Sequence, residues 1–444
     1  SMRSAGGVIA GTAPAADEFG TLTASTLSGA GVIAMNIDFT AGIASRLIIT
    51  GEAAGTHSFE LTPEGTAVNP NSINIPLVTY ASGSPVFNPV SITDGGMNAY
   101  ETRQAGNSVN LVYAGGSPLG NAILATAGVL AMDWHYSLDS LYNRMGDLHA
   151  KHAAPGPDVG DNTNNTNTAN NAGNDFWVRA SGYHLNASSD VSGDAFDQGA
   201  VGLTAGIDKG FALSRSTFYI GAFLATSYSD RHYDTYGKGT TGGIGAGLYA
   251  TWLHELGWYV DFVAKADRYK NDLDTQDGDT INRIRYTNNA QGLSLEFGKR
   301  ITIGRRFWFE PSAQAAIAWL GGKSYDTTTW QNGDSMYATR KGLRVELDDA
   351  TAAQYRMQLR AGVNLGKWQP YAKFGEVKSD TTGGAIRAAG GSYDPQFDGW
   401  RLEAGAGVGY FITASSQLYL DYEYNKATQY ERPWSFNLGY RRNW

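Results

Sequence analysis

The sequence predicts an all-β protein in which the end of a parallel β-helix precedes a 12-stranded antiparallel transmembrane β-barrel with a helix in its lumen. Residues 175–444 alternate apolar and polar side chains, which is the period of a strand with one apolar and one wet face. Residues 119–150 repeat apolar side chains at the period of a helix. The chain also ends on an alternating aromatic segment, RPWSFNLGYRRNW, whose last residue is Trp444.

The composition narrows the class of protein. The 444 residues carry a net charge of −8, so we expect no nucleic acid partner. Only 17% of the residues are charged, whereas 56 Gly, 25 Tyr and 11 Trp give a profile typical of β-rich proteins. The absence of cysteine excludes disulfides, thiolate metal sites and a Cys nucleophile. A mean hydropathy of −0.31 is compatible with a membrane barrel, because half of each strand faces water.

The start of the chain carries no targeting signal. It reads SMRSAGG, without a basic segment followed by an apolar one. We therefore expect an N-terminal truncation that has removed any signal peptide. No run of 18 apolar residues occurs, so no membrane-spanning helix is expected.

Residues 1–118 contain short strand-like runs such as VIAMNIDF, SRLIIT and INIPLVTY, separated by Gly, Asn, Pro and Ser. Their spacing of roughly 10–20 residues favours the last coils of a right-handed parallel β-helix. A small β-sandwich is the alternative, because no firm repeat register can be read from the sequence.

Residues 119–150 predict a helix roughly 45 Å long, close to the thickness of a bilayer with its headgroups. Its apolar stripe consists of side chains three or four positions apart: Ile123, Ala127, Leu130, Trp134, Leu138, Leu141, Met145 and Leu148. Its other faces carry Asp133, His135, Asp139, Arg144 and Asp147. A helix on the surface of a soluble domain is the alternative. Residues 151–174, rich in Asn, Gly and Pro, predict a flexible linker.

Residues 175–444 predict the barrel. The twelve predicted strands are 175–186, 197–210, 215–230, 240–254, 257–270, 287–303, 306–320, 353–366, 367–378, 399–412, 416–426 and 433–444. Five connections are short, such as HELG and TIGRR, while most of the others are longer and polar, such as NDLDTQDGDTINRIRY. Short turns at one rim and long loops at the other, with aromatics near the strand ends, are typical of an outer-membrane barrel. An even strand number closes it without exposed edges. A soluble β-sandwich or lipocalin-like barrel is the alternative.

Two features of the strands relate the barrel to the helix. The strand faces assigned to the lumen carry Arg179, Arg356, Arg360, Lys373 and Arg401, whose charges complement the three Asp of the predicted helix. The same faces carry glycines, which either leave room for the helix or ease barrel curvature: Gly243, Gly245, Gly247, Gly405, Gly407, Gly409 and Gly439. We therefore expect the helix to plug the pore.

Several segments resemble those of type Va, pertactin-like autotransporters of Gram-negative bacteria, a class of type V secretion proteins. Residues 20–115 resemble the C-terminal end of a pertactin-like passenger, and LYNRMGDLH (141–149) resembles the helix signature of the family, here Arg144, Met145, Gly146, Asp147 and Leu148. FWVRASGY (176–183) resembles the first barrel strand of the family, and the C-terminal segment resembles its last strand.

The resemblance implies a role for each part of the chain. Residues 1–118 would be the passenger end with its folding nucleus, 119–150 the lumenal linker helix and 175–444 the translocator barrel. The barrel would sit in outer-membrane lipid as a monomer, assist export of its own passenger to the cell surface and anchor it there. Barrel-assembly machinery and periplasmic chaperones are the implied partners, and the implied assembly signal in the last strand is Phe436, Leu438, Tyr440 and Trp444.

One departure from the family concerns cleavage. Some relatives cleave their passenger between two Asn just before the helix signature, whereas the matching positions here are Asp139 and Ser140. The Asn-pair cyclisation chemistry is therefore missing, and we expect no cleavage at this pair.

Other function classes remain open at the level of sequence. An outer-membrane porin or channel with a periplasmic N-terminal domain is the alternative function. The passenger is expected to be an adhesin or a virulence factor, although its binding part would lie upstream. The seven His form no metal-binding spacing, and GDSM (333–336) falls in a predicted loop. We therefore expect neither an enzyme nor a cofactor or metal site.

Overall fold

The computed structural model describes residues 3–4, 19–153, 173–234, 237–277, 280–304, 306–331, 340–413 and 415–444. For Ser140 and for residues 142–153, 330–331 and 340–341 it describes the backbone alone. The GDSM segment and most of the predicted linker lie outside these ranges.

The N-terminal part consists of two sheets that the chain visits in turn. The described strands are β1 (Arg3–Ser4), β2 (Thr21–Ala24), β3 (Ala30–Asp38), β4 (Ile43–Ala44), β5 (Arg46–Ala53), β6 (Thr56–Glu64), β7 (Asn74–Gly83), β8 (Val86–Phe87), β9 (Ser91–Thr93), β10 (Asn98–Ala105) and β11 (Ser108–Gly116), with a 3-10 turn at Pro70–Ser72. Strands β3, β6 and β8 pair in parallel in one sheet, and β2, β5 and β7 pair in parallel in the other. Alternation between two parallel sheets is the geometry of a β-helix, so that prediction is confirmed and the sandwich alternative is wrong.

The interior of this β-helix explains why the sequence shows no clear repeat. Ile37, Leu47 and Leu77 are fully buried between the sheets, where apolar burial stabilises each coil on the next. The coils are unequal in length: the paired residues Ile33 and Phe59 are 26 positions apart, whereas the paired residues Leu47 and Val78 are 31 positions apart. The antiparallel hairpin β10–β11 then packs on β7 and ends the parallel stack.

Helix α1 extends from Pro118 to Ala153. Ser117 caps its start, since its hydroxyl accepts a hydrogen bond from the Gly120 backbone N–H at 2.9 Å, and proline is favoured in the first turn. The helix is three residues longer than predicted at its C-terminal end, so the first residues assigned to the linker are helical. Within the described residues, no helix combines the length and the apolar character needed to cross a bilayer.

A closed antiparallel barrel follows. Its described elements are β12 (Asn174–Ala187), α2 (Ser189–Ser192), β13 (Phe196–Ala212), β14 (Ser216–Tyr233), β15 (Gly237–His254), β16 (Trp258–Asp277), β17 (Thr280–Lys299), β18 (Ile301–Ile303), β19 (Phe307–Leu320), β20 (Lys323–Gln331), β21 (Arg340–Leu347), β22 (Ala350–Val363), β23 (Trp368–Gly383), β24 (Ile386–Ala388), β25 (Gly391–Tyr393), β26 (Gly399–Thr413), β27 (Ser416–Ala427) and β28 (Tyr430–Asn443). Strand β28 pairs with β12 and closes the barrel. Strands β19 and β20, like β21 and β22, are two halves of one long barrel strand, which gives the predicted twelve.

Two segments predicted to be long loops are strands instead. Strand β16 continues to Asp277 and β17 begins at Thr280, so the polar segment at 271–286 forms a hairpin. Strands β20 and β21 likewise occupy much of the segment predicted as the longest loop. The outward faces of these extensions are polar and include the ion pair Arg283–Asp274 at 2.6 Å, whereas the inward faces mix polar residues with buried apolar ones such as Leu273 and Ile284. They therefore lack the outward apolar row by which strands were recognised in the sequence.

The two faces of the wall have opposite character. The outer face exposes large apolar side chains, with aromatics near the strand ends: Phe307, Trp319, Trp368, Trp400, Trp434 and Trp444. The inner face buries charged groups such as Arg356, Glu403 and Asp421. Buried charges inside and exposed apolar groups outside reverse the pattern of a soluble protein, as expected of a barrel surrounded by lipid. The soluble-barrel alternative is therefore wrong.

Candidate functional site

The candidate site is the barrel lumen, which helix α1 occupies. Near the end of the lumen where α1 enters from the β-helix, Arg231 Nη1 donates a hydrogen bond to Thr126 Oγ1 at 3.1 Å. Further along the helix, Gln198 Nε2 donates to Asp133 Oδ1 at 2.9 Å, and the Tyr183 hydroxyl donates to the same oxygen. These contacts provide polar partners for helix groups that would otherwise be buried without them.

In the middle of the lumen, one lysine of the wall contacts a hydroxyl group and an aromatic ring of the helix. The Lys265 ammonium donates to the Ser137 hydroxyl and lies 5.0 Å from the ring centroid of Trp134. Trp134 itself is fully buried. It packs against Gly292, where an added Cβ would lie 2.6 Å from the Trp134 ring. Helix and wall therefore approach closely at this glycine.

Further along the helix, Asp139 lies among arginines. Arg356 Nη2 is 2.6 Å from Asp139 Oδ1, and Arg401 Nη2 is 3.9 Å from Asp139 Oδ2. Both arginines also pair with Glu403, at 3.0 Å and 2.6 Å. All four side chains are largely buried, so each charge depends on its partners for compensation. The helix is thus fixed to the wall by a buried network of alternating charges.

The other three predicted lumen charges contact the wall. Arg360 lies 3.8 Å from Glu310, and Lys373 lies 2.8 Å from both Asp421 and Glu423. The Arg179 guanidinium lies 4.3 Å above the Tyr419 ring. All five predicted residues are buried in the lumen, but the described contacts of the helix with this set involve Arg356 and Arg401.

Among the described side chains, three cations that contact the helix lie outside the set predicted from the sequence. They are Arg231, Lys265 and Arg432, whose guanidinium lies 4.9 Å from the Tyr136 ring. Lys265 alternates with outward-facing Ala264 and Ala266, so the strand period could have found it. Arg231 lies one residue beyond the predicted strand, and Arg432 lies before the predicted start of the last one. Errors in strand ends therefore hid these two.

The predicted lumen glycines mostly make room for side chains of neighbouring barrel strands. A Cβ at Gly439 would lie 1.9 Å from the Tyr419 ring, and one at Gly407 would lie 2.5 Å from the Tyr371 ring. Large side chains of adjacent strands thus lie flat over these glycines. The helix meets a different glycine, Gly292, so the expectation that the predicted set makes room for the helix is wrong.

An apolar collar surrounds the first half of α1. We define the collar by its buried residues: Met97, Leu119, Ala122, Ile123, Ala125, Val129, Tyr183, Leu185, Ala187, Phe196, Tyr233, Leu273, Ile284, Tyr286, Tyr325, Val345, Ile386, Ala388, Phe397 and Tyr430. They come from the helix, the wall, the hairpin β24–β25 and, through Met97, the end of the β-helix. Because this packing excludes water, the collar closes the lumen at its outer end.

The β-helix meets the barrel beside the collar. Asp94 is buried, and the Asn98 side chain donates to its carboxylate at 3.1 Å. Burial and the nearby Asp94 carboxylate raise the pKa of Tyr100 and that of Tyr393, which lies on the barrel hairpin β24–β25. Both phenols therefore stay neutral at physiological pH, so this contact is insensitive to pH in that range.

The remaining predicted residues lie on two elements. Asp139 and Ser140 are consecutive helix residues, and so are Arg144 to Leu148, whose side chains lie outside the described part. Phe436, Leu438 and Trp444 point outward, with 44%, 54% and 63% of their surface exposed. The Trp444 backbone exchanges two hydrogen bonds with Asn174, at 3.0 and 3.2 Å, so the chain end completes the seam of the barrel.

Known proteins share this arrangement. The family model "Autotransporter beta-domain" matches residues 176–423, which is more than half of the chain. The chain belongs to the autotransporter family. The Pertactin model matches residues 1–112 of this autotransporter.

Relatives of this autotransporter match along almost all of the chain. The BrkA autotransporter of Bordetella pertussis is 29% identical over 458 residues, which cover 99% of this chain and 42% of the relative. The pertactin autotransporter of Bordetella bronchiseptica is 25% identical over 486 residues, which cover 97% of this chain and 49% of the relative. The solved beta domain of the Bordetella autotransporter BrkA superposes with a TM-score of 0.50 at 29% identity, covering 61% of this chain and 99% of that one.

The chain spans about half the length of the curated relatives it matches. Its barrel is an outer-membrane translocator of type V secretion, and its β-helix end belongs to a passenger exposed at the cell surface. The rim that carries the collar and the β-helix is therefore the outer rim, and the rim of Asn174 and Trp444 is the periplasmic one.

Proposed function

We propose that the barrel assists export of the passenger of its own chain and then anchors it with α1 left in the lumen. The observation that carries the proposal is the path of the chain. Strand β11 ends at Gly116 in the β-helix, α1 passes through the lumen, and β12 begins at Asn174 on the periplasmic rim. This path is what remains when a passenger has moved outward and its trailing helix has lodged in the pore.

The lumenal charges act as the anchor in this proposal. A passenger in transit offers Arg356 and Arg401 no fixed carboxylate beside Glu403 of the wall, whereas α1 places Asp139 between them. The collar then forms around Ile123 and Val129 and closes the pore. Both events stabilise the helix only in its final position, so export ends with a sealed membrane.

We also propose partners for assembly. Before closure, β28 presents an unpaired edge and an outward row that includes Phe436, Leu438 and Tyr440. Such a strand is suited to pairing with another β-strand. The barrel-assembly machinery and periplasmic chaperones would recognise this strand, and the closed barrel would remain a monomer.

The passenger would act as an adhesin or another virulence factor on the cell surface. Its exposed position and its similarity to pertactin support this role. We propose no catalysis and no cofactor for the chain: the described lumenal acids Asp139, Glu403 and Asp421 each pair with an arginine or lysine, an arrangement that stabilises charge.

External protease treatment of intact cells tests the export proposal. Cells express the chain with a signal peptide added, and antibodies against residues 19–116 and against the barrel follow each part. We expect digestion of the β-helix in intact cells, while a heat-modifiable barrel core survives. Protection of the β-helix until the outer membrane is permeabilised would place it in the periplasm and support a channel.

The untreated sample tests the cleavage expectation. An Asp side chain lacks the amide nitrogen that an Asn uses to cyclise, and Arg356 Nη2 donates to Asp139 Oδ1 at 2.6 Å. We expect one full-length band from intact cells. A fragment whose N-terminal sequence begins at Ser140 would contradict this.

A further inference from the structure

A groove on the outer wall of the barrel is separate from the lumen and from the passenger. It has a volume of about 1080 Å³ and crosses strands β14 to β22. Its floor is low because two outward residues that pair in register, Ala246 and Ala266, are small. Leu224 and Ile244, 70% and 65% exposed, border one side, and Trp319 borders the other. The groove thus has an apolar floor between bulky walls.

The position of the groove across the membrane can be estimated along strand β16. Trp258 starts this strand at the periplasmic rim, and Arg268 faces the same side ten residues later. Ten residues of a tilted strand rise about 25 Å, which is the height of the apolar band of such barrels. Arg268 therefore lies at the outer edge of the lipid, where the headgroups of the outer leaflet begin.

Two cations at this edge differ from their neighbours. Nearby arginines on the outer face are paired: Arg283 with Asp274 at 2.6 Å and Arg285 with Asp272 at 2.7 Å. Arg268 and Lys270, by contrast, form no ion pair with a carboxylate in the described part of the chain, and both are exposed.

The surroundings of the two cations contain little compensating negative charge. Their cross-strand neighbours are uncharged: Ile244 and Asn289 for Arg268, Gly242 and Thr287 for Lys270. Asp267 points to the lumen and pairs with Lys265, and Asp349 accepts the Gly322 backbone N–H at the far end of the groove.

We propose that this groove binds a phosphate-bearing lipid with several acyl chains from the outer leaflet. The acyl chains would lie on Ala246 and Ala266, against Trp319. The phosphates would bind Arg268 and Lys270. A guanidinium offers paired donors to phosphate oxygens, and an anionic headgroup attracts an exposed cation at a lipid boundary. Five barrel strands, from β14 to β19, span about 19 Å, which is wider than one acyl chain. The proposal needs the outer-membrane location of the barrel and is independent of the export mechanism.

Lipid retention measures this binding. The full chain is purified in detergent with bis-phosphorylated lipid A, and the bound lipid is quantified by native mass spectrometry against lipid A without its phosphates. We expect the double variant Arg268→Gln/Lys270→Gln to bind bis-phosphorylated lipid about tenfold or more weakly. Arg285→Gln, an outer-face arginine with its own acidic partner, is the matched control and should bind like the unaltered chain.

A second variant separates charge from shape. Ala266→Trp fills the floor and leaves both cations in place, so it should also weaken retention. Heat-modifiability on gels shows that each variant is folded. Unchanged retention in both the double variant and the Trp variant would overturn the proposal, as would equal retention of the lipid without phosphates. Full displacement by an equal concentration of phosphatidylglycerol would overturn the assignment to a lipid with several chains.

Discussion

At the scale of single residues, Arg356 joins the helix to the wall through an ion pair of 2.6 Å with Asp139. Two buried carboxylates, those of Asp139 and Glu403, depend on its guanidinium. A buried ion pair adds little net stability compared with apolar packing, whereas loss of one partner leaves a buried charge without compensation. The arrangement therefore selects one position of the helix in the lumen.

Arg356→Gln should lower the free energy of unfolding by about 3–5 kcal/mol, because Asp139 and Glu403 keep their buried charges. Adding Asp139→Asn should recover part of this loss, since one of the two stranded charges is then gone. Unfolding of the detergent-solubilised barrel, followed by heat-modifiability and denaturant, measures both.

Arg344→Gln is the control for this pair of variants. Arg344 and Asp326 form an exposed pair at 3.4 Å, so its loss should cost at most about 1 kcal/mol. Equal losses for the Arg356 single variant and the double variant would show that Asp139 does not depend on Arg356.

Gly439→Ala should destabilise the barrel by about 1–3 kcal/mol, because the new Cβ would overlap the Tyr419 ring that lies 1.9 Å away. Gly242→Ala is the matched control, since a Cβ there has open space within 4 Å. The shift of the unfolding midpoint in denaturant compares the two. Equal midpoints would mean that Tyr419 can move away without loss.

At the scale of elements, strand identity depends on the environment of each face. Sequence alternation placed the strands well where one face meets lipid, as at Tyr355, Met357 and Leu359, which are all at least 49% exposed. It failed above the membrane, where β20 and β21 have polar outward faces and turn only a few apolar side chains inward, such as Tyr325 and Val345. In that region, pairing with neighbouring strands, which is not local in sequence, decides the structure.

The terminal strand offers a test at this scale. Leu438 and Leu420 are paired neighbours on β28 and β27, with 54% and 46% of their surface exposed. Leu438→Asn and Leu420→Asn should therefore lose the same contact with lipid. If β28 is the assembly signal, Leu438→Asn should lower the amount of folded barrel in the outer membrane several-fold more. Semi-native gels of membrane fractions measure it, and equal amounts would contradict a signal in β28.

At the scale of the whole molecule, the helix, collar and lumenal network together close the pore. A plugged barrel and an open porin have the same wall, so the lumen contents decide between them. Planar-bilayer recordings of the full chain should show low conductance, and deletion of residues 1–150 should produce a large, steady pore. A wide, constant pore in the full chain would instead support the porin alternative.

The sequence by itself determined the order of parts, because each part has its own period: coils of β-strands, one amphipathic helix, and strands with one lipid face. It also determined the inward direction of Arg356 and Arg401, since alternation assigns faces without knowledge of partners.

Only the tertiary structure decided which lumenal cations reach the helix. Arg356 and Lys265 approach Asp139 and Ser137 across separations of 217 and 128 residues. Such contacts depend on barrel register and on how far the helix enters, which are set by closure of all strands together. Hairpin register, by contrast, laid Tyr419 over Gly439 and aligned Ala246 with Ala266, because each pair lies on two adjacent strands whose pairing brings together residues 20 positions apart.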